Sequence, residues 1–180
     1  SKKIAAIARG AGAETPFLRP DYLSTSEAGK FDVFKHALAS CENHYVEEYE
    51  FYLDLDCTSP MRDVSDILAC VAQFRDLRQK GVDGVFSICT ARKNPYFNVV
   101  EYHDGHLNLV RTLDIRPTCR QDAPQVYDMS SAVYIWKREI LMGSDSLFSG
   151  KTSLFVMPPE RSIDIDSELD WKLVESILEQ

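Results

Sequence analysis

The residues best suited to chemistry in this 180-residue sequence are two pairs of aspartates, each pair split by one aliphatic residue. One lies in Ser162-Ile163-Asp164-Ile165-Asp166-Ser167. In an extended stretch Asp164 and Asp166 point the same way, while Ile163 and Ile165 point into the core. Carboxylates held side by side repel, so keeping both ionised calls for a compensating cation. Mg²⁺ suits them, because it takes oxygen ligands from one or two carboxylates and fills its remaining positions with substrate phosphates and water. An exposed acidic turn is the plainer reading of a bare D-x-D. The other pair opens Asp54-Leu55-Asp56-Cys57-Thr58-Ser59-Pro60-Met61-Arg62, where a strand runs out into hydroxyls before a helix. Asp56, Thr58 and Ser59 serve equally well to turn the chain and cap that helix.

Cations able to grip phosphates or carboxylates sit in loop-like stretches: Arg19, Lys30, Arg92, Lys93, Arg111, Arg116 and Arg120. His36, His44, His103 and His106 lack the spacing of a nucleophilic triad or a metal site, and the sequence holds no glycine-rich phosphate loop.

The elements that must position these residues follow from periodicity and caps. Helices are expected over Lys2–Ala11, Phe31–Cys41, Asp63–Lys80 and Ser167–Leu178, the last with Ser167 as N-cap and Asp170 at the reciprocal position. Strands are expected over Tyr49–Leu55, Gly84–Thr90, Ala132–Trp136 and Ser153–Met157. Helices alternating with strands predict an α/β fold with a parallel sheet, and ligands in such sheets bind beyond the carboxyl ends of the strands. Tyr96–Tyr102 and His106–Leu113 flank Asp104-Gly105, a two-residue hairpin signal. That hairpin breaks the alternation, so residues from about 92 to 128 read as an inserted arm.

Composition narrows the function. A hydrophobic fraction of 44% with 27% charged residues is globular. A net charge of −8 argues against a general nucleic-acid binder, which gains affinity by neutralising phosphates. No run approaches the ~18 apolar residues of a membrane span. The start, Ser1-Lys2-Lys3 with its apolar stretch broken at Arg9, does not read as a signal peptide. Five cysteines, an odd number and none closely spaced, suit a reducing cytoplasm better than a disulfide framework or a zinc site.

Four ordered stretches resemble the acylneuraminate cytidylyltransferases, the CMP-sialic acid synthetases. Ala13-Glu14-Thr15-Pro16-Phe17-Leu18-Arg19-Pro20 is similar to the family's A-E-x-P-F-x-R-P, and Asp56-Cys57-Thr58-Ser59-Pro60-Met61-Arg62 to its Q-P-T-S-P-L-R turn. Arg120-Gln121-Asp122-Ala123-Pro124-Gln125-Val126-Tyr127 resembles its R-Q-x-x-P-x-x-Y/F, running on to Tyr134, and Asp164-Ile165-Asp166-Ser167-Glu168-Leu169-Asp170 resembles its D-I-D-T-x-x-D. The resemblance implies a doubly wound, mostly parallel sheet of the nucleotide-diphospho-sugar transferase type. It implies transfer of CMP from CTP to the anomeric hydroxyl of a nonulosonic acid, with release of pyrophosphate. Asp164 and Asp166 match the family's metal-binding aspartates and serve catalysis through Mg²⁺. Arg19 matches a nucleotide-side arginine, and Lys30 is the other nucleotide-side candidate. Asp56, Ser59, Asn98, Arg120, Gln121 and Tyr134 are the candidates on the substrate side. The arm is expected to reach across a homodimer, so that Arg120 serves the other subunit's site. No nucleic-acid or membrane partner is implied.

The sequence also departs from the family. Asp56 replaces the usual glutamine and is placed to bind either a sugar hydroxyl or the metal. Ser130-Ser131-Ala132-Val133-Tyr134 stands for N-G-A-I-Y, and Phe97, before Asn98, stands where a lysine is frequent. Neuraminic, legionaminic, pseudaminic and Kdn-like acids all remain acceptors. The family opens with a βαβ portion whose A-R-x-G-S-K-x-x-x-x-K-N loop wraps the triphosphate, whereas Ser1-Lys2-Lys3-Ile4 resembles a later helix. Residues 1–180 are thus expected to form one nucleotidyltransferase domain without that first portion, inactive alone. The alternatives are a related sugar nucleotidyltransferase with another acceptor, or a non-catalytic dimeric remnant of the fold.

Overall fold

The computed structural model describes residues 1–179. Its elements follow as α1 (Lys2–Gly10), α2 (Lys30–Tyr45), β1 (Phe51–Asp54), α3 (Val64–Arg78), β2 (Gly84–Thr90), β3 (Val100–His103), β4 (His106–Leu109), β5 (Tyr127–Lys137), α4 (Arg138–Gly143), β6 (Thr152–Val156) and α5 (Glu168–Leu178). Short 3-10 turns lie at Asp21–Leu23, Arg120–Asp122 and Pro159–Arg161. No helix among the described residues is long and apolar enough to cross a membrane, and all five cysteines are free thiols.

Four strands form one sheet in the order β1-β5-β2-β6. β5 runs antiparallel to β1, with Phe51 opposite Lys137 and Asp54 opposite Tyr134. It is antiparallel to β2 as well: Lys137 N–H donates to the Asp83 carbonyl, and Ala91 N–H to the Val126 carbonyl. β2 and β6 are parallel, since Asp83 N–H donates to the Lys151 carbonyl and Met157 N–H to that of Ile88. Three strands therefore run one way and β5 runs against them. The apolar composition of Ala132–Trp136 announces a buried strand but carries no direction. Direction comes from the connection: after β2 the chain passes through the hairpin segment and returns beside β2, which needs no crossover helix.

The residues divide into two compact units. The first comprises Ser1–Asp54, Val71–Val85 and Tyr134–Ser153. Its core is aromatic, with the Phe34 ring centroid 5.5 Å from that of Trp136 and 5.2 Å from that of Tyr52. Phe31 meets Trp136 edge-on at 5.9 Å, and Leu38, Phe74, Ile135 and Leu141 are buried. α4, too short to leave a periodic signature in the sequence, starts where Arg138 makes a two-point contact with Glu42 at 2.6 and 3.0 Å.

That contact holds the Glu42 carboxyl below its ordinary value of 4.5, through the Arg138 hydrogen bonds first. Asp83 is likewise held below its ordinary 3.8, chiefly by Lys137 Nζ at 2.7 Å. A carboxyl depressed by folding stabilises fully above its ordinary pKa and loses that contribution as pH falls through the folded value. Thermal melts should therefore show Tm falling as pH drops from about 5 toward 3. Glu42→Gln should flatten that fall, and an unchanged acid limb would remove the pair from the account.

The second unit comprises Leu55–Cys70, Phe86–Val133 and the chain from Leu154 on. Phe86, Ile88, Ala91, Ala132, Val133, Met157 and Val174 are buried in it. α3 begins on a reciprocal cap: Asp63 Oδ1 accepts from Ser65 N–H at 2.8 Å, and Asp66 Oδ2 accepts from Asp63 N–H at 2.9 Å. α5 begins on the expected capping box of Ser167 and Asp170. β3 and β4 form their own two-stranded sheet with His103 opposite His106. Asp104 at φ 50° and Gly105 at φ 81° give the two left-handed residues that a type I′ turn requires.

Candidate functional site

In the second unit the hydroxyl turn and the D-x-D segment, far apart in sequence, are joined. Ile165 N–H donates to the Thr58 carbonyl at 2.8 Å, and the Ser59 hydroxyl, fully buried, donates to Asp164 Oδ1. The Ser131 N–H on β5 approaches Asp164 Oδ2 at 3.5 Å. The Ser131 carbonyl in turn accepts from Asp56 N–H at 3.2 Å. Asp164 is thus held from two sides, while Asp166 is exposed.

Residues 162–166 form neither helix nor strand, yet both ends of this segment are fixed. Before it, Arg161 contacts the buried Asp66 through Nε at 2.9 Å and Nη2 at 3.0 Å. After it, Asp170 Oδ2 accepts from Asp166 N–H at 3.2 Å, from Ser167 N–H at 2.8 Å and from the Ser167 hydroxyl at 2.7 Å. The Ser167 bond is the main reason that the Asp170 carboxyl lies below its ordinary range. Sequence reasoning names Asp170 as a cap and as the last residue of the D-I-D-T-x-x-D stretch, takes Asp66 only as an acidic residue opening a helix, and passes over Arg161. The Asp63-x-x-Asp66 spacing, a capping pattern, was the signal available.

The turn's own residues are committed locally. Asp56 Oδ1 accepts from Thr58 N–H at 3.3 Å and from the Thr58 hydroxyl at 3.1 Å, which is the turn-making role its type favours. Arg62 Nη1 holds the Asp56 carbonyl at 2.5 Å and the Ser59 carbonyl at 3.0 Å. A second group in the same unit surrounds a cavity of about 120 Å³ lined by Asn94, Arg120, Gln121 and Pro124 among others. Arg120 Nη2 donates to the Ala91 carbonyl at 2.7 Å. Asn98 is exposed, and its Oδ1 accepts from Asn94 N–H at 2.7 Å.

The remaining candidates belong to the first unit. Arg19 is exposed, with Nε donating to the Ser24 hydroxyl at 3.2 Å. Lys30 Nζ lies 3.6 Å from Asp54 Oδ2 and 5.5 Å from the centre of the Phe34 ring. Asp54 is therefore the counter-ion of Lys30. Tyr134 is only 4% exposed, its ring meeting that of Trp136 edge-on at 5.8 Å.

The donor set fits a hard divalent cation. Asp164 and Asp166 offer carboxylate oxygens, and among the described residues no cluster of three His, Cys, Asp or Glu side chains has metal-binding geometry. Two carboxylates with water and phosphate oxygens are the usual complement of Mg²⁺.

The described residues thus combine a mixed α/β sheet with an antiparallel strand inside it, a hairpin outside that sheet and a carboxylate-bearing loop. Among solved structures, 4-diphosphocytidyl-2C-methyl-D-erythritol synthase from Anaerococcus prevotii superposes with a TM-score of 0.65 at 14% identity, covering 99% of this chain and 77% of that one. At that identity the likeness is one of fold. No family model matches the chain. Curated proteins do: it is 36% identical over 180 residues to the post-translational flagellin modification protein B of Campylobacter coli, spanning 100% of this chain and 74% of that protein. It is 37% identical over 178 residues to the CMP-N,N'-diacetyllegionaminic acid synthase of Campylobacter jejuni, spanning 99% and 74%. It is 28% identical over 178 residues to the N-acylneuraminate cytidylyltransferase of Escherichia coli, spanning 98% and 40%. The chain belongs to the acylneuraminate cytidylyltransferase family, which includes the CMP-nonulosonic acid synthases.

Proposed function

We propose that this protein transfers CMP from CTP to the anomeric hydroxyl of a nonulosonic acid, releasing pyrophosphate. The observation that carries the reading is the joining of the Thr58-Ser59 turn to Asp164, which fixes one carboxylate of the D-x-D segment and leaves Asp166 open. The anomeric oxygen attacks the α-phosphorus in line, the P–O bond to pyrophosphate breaks, and the hydroxyl proton leaves to solvent or base. Asp164 and Asp166 hold Mg²⁺, which when bound offsets charge on the triphosphate and on the leaving group. Ser59 and the Ser131 N–H keep the Asp164 carboxylate oriented. Arg19 and Lys30 act on the nucleotide side. Arg120, with a planar fork of donors suited to a carboxylate, acts with Asp56, Asn98, Gln121 and Tyr134 on the acceptor side.

The acceptor is of the legionaminic class, a choice supported by the 37% identity to the Campylobacter jejuni synthase. The protein works in the cytoplasm as a homodimer joined through the arm at residues 92–128, with Arg120 completing the other subunit's site. A panel of nucleotides and acceptors on the full-length protein tests the assignment. Pyrophosphate release should require both CTP and a nonulosonic acid. Release with another nucleotide or a simple sugar alcohol would instead favour a related nucleotidyltransferase.

A further inference from the structure

β5 does not keep register with its neighbours. From the Asp83–Lys137 bond to the Ala91–Val126 bond the chain advances eight residues on the β2 side but eleven on β5. Against the chain leaving β1 the surplus is one residue, since three residues of β5 separate the Asp54–Tyr134 pair from the Asp56–Ser131 bond and two on the other side. The surplus is located by one side chain. Ser87, on β2 and 0% exposed, donates its hydroxyl to the Ser130 carbonyl and accepts from Val133 N–H at 2.9 Å. A single β2 residue thus satisfies two main-chain groups of β5 that are three residues apart. This is a β-bulge with the Ser87 hydroxyl filling its mouth, and bulges beside functional sites re-aim the residues within them. Here the residue within is Ser131, whose N–H faces Asp164 and whose carbonyl holds Asp56.

The geometry points to Ser87 as a positioning residue for the metal-binding carboxylates. It touches neither of them and acts through the bulge, setting the direction of the Ser131 peptide and through it the placement of Asp164 and of the Asp56 turn. The inference rests on the assignment of Asp164 and Asp166 to the metal. Ser130 supplies an internal control. Its side chain is as buried as that of Ser87, but among the described residues its hydroxyl has no hydrogen-bond partner.

The test compares Ser87→Ala, Ser87→Cys and Ser130→Ala in the full-length protein, by Mn²⁺ titration and by amide exchange of the peptide holding Ser131. Loss of an outer partner of a metal site typically costs 10–100-fold in affinity. Ser87→Ala should therefore weaken Mn²⁺ binding, and raise the Mg²⁺ needed for half-maximal turnover, by about tenfold. Turnover at saturating Mg²⁺ should stay close to wild type, and the Ser131 amide should exchange faster. Ser87→Cys, with a weak S–H donor, should fall between, and it carries the test if the alanine variant does not fold. Ser130→Ala should match wild type in all three readouts. Wild-type Mn²⁺ affinity and wild-type exchange in a folded Ser87 variant would overturn the inference, and so would an equal loss in Ser130→Ala. A wild-type protein that binds Mn²⁺ but releases no pyrophosphate would remove the proposed reaction, while the titration and exchange data still decide the role of Ser87.

Discussion

Asp166→Asn in the full-length protein should abolish CMP transfer while leaving the fold intact. Each Asp164 oxygen accepts one hydrogen bond, from the Ser59 hydroxyl or the Ser131 N–H, contacts that orient the group. Asp166 is exposed, and its backbone N–H is fixed to Asp170 at 3.2 Å, so its carboxylate is presented with little freedom of the main chain beneath it. An amide in its place removes a negative charge and one hard anionic ligand, and Mg²⁺ depends on both. A drop in turnover of at least about 10³-fold is expected, in keeping with the several kcal/mol that metal ions contribute to phosphoryl-type transfers. Far-UV circular dichroism and Tm should match wild type, since the side chain is outside the core. Near-normal turnover in this variant would remove the metal assignment.

Trp136→Ala should be the most damaging single change to stability in the first unit. Trp136 is 1% exposed and meets the rings of Phe31, Phe34, Tyr52 and Tyr134. Its removal loses a large buried apolar surface and leaves a cavity that four rings must collapse into, at a cost of about 3–5 kcal/mol. Urea unfolding followed by circular dichroism measures this as a lower midpoint at similar slope. A loss below about 1 kcal/mol would mean that the aromatic cluster is not the core.

Several elements could be read from the sequence because the signal was local. Gly84–Thr90 is a strand because seven residues of mostly apolar, β-favouring type sit between turn signals, and the structure places β2 at the same bounds. Asp104-Gly105 makes its hairpin because both residues tolerate positive φ. Ser167 and Asp170 cap α5 because each can satisfy the other's N–H. The site was legible in its members but not in its arrangement. Nothing in a periodic pattern tells that Lys30 faces Asp54, or that Tyr134 is buried beside Trp136. The antiparallel course of β5 and its bulge at Ser130–Val133 arise from pairing between distant segments. A serine in an apolar strand, as Ser87 is, reads from sequence as a tolerated polar residue, although its hydroxyl organises the neighbouring strand.

The most direct test of the proposed reaction is pyrophosphate release by the full-length protein supplied with CTP, Mg²⁺ and a set of nonulosonic acids led by a legionaminic acid. Release that depends on CTP, metal and keto acid together, with a matching amount of CMP-sugar formed, is the predicted result. No release with any acid in the set, from protein that is folded and binds Mg²⁺, would contradict it.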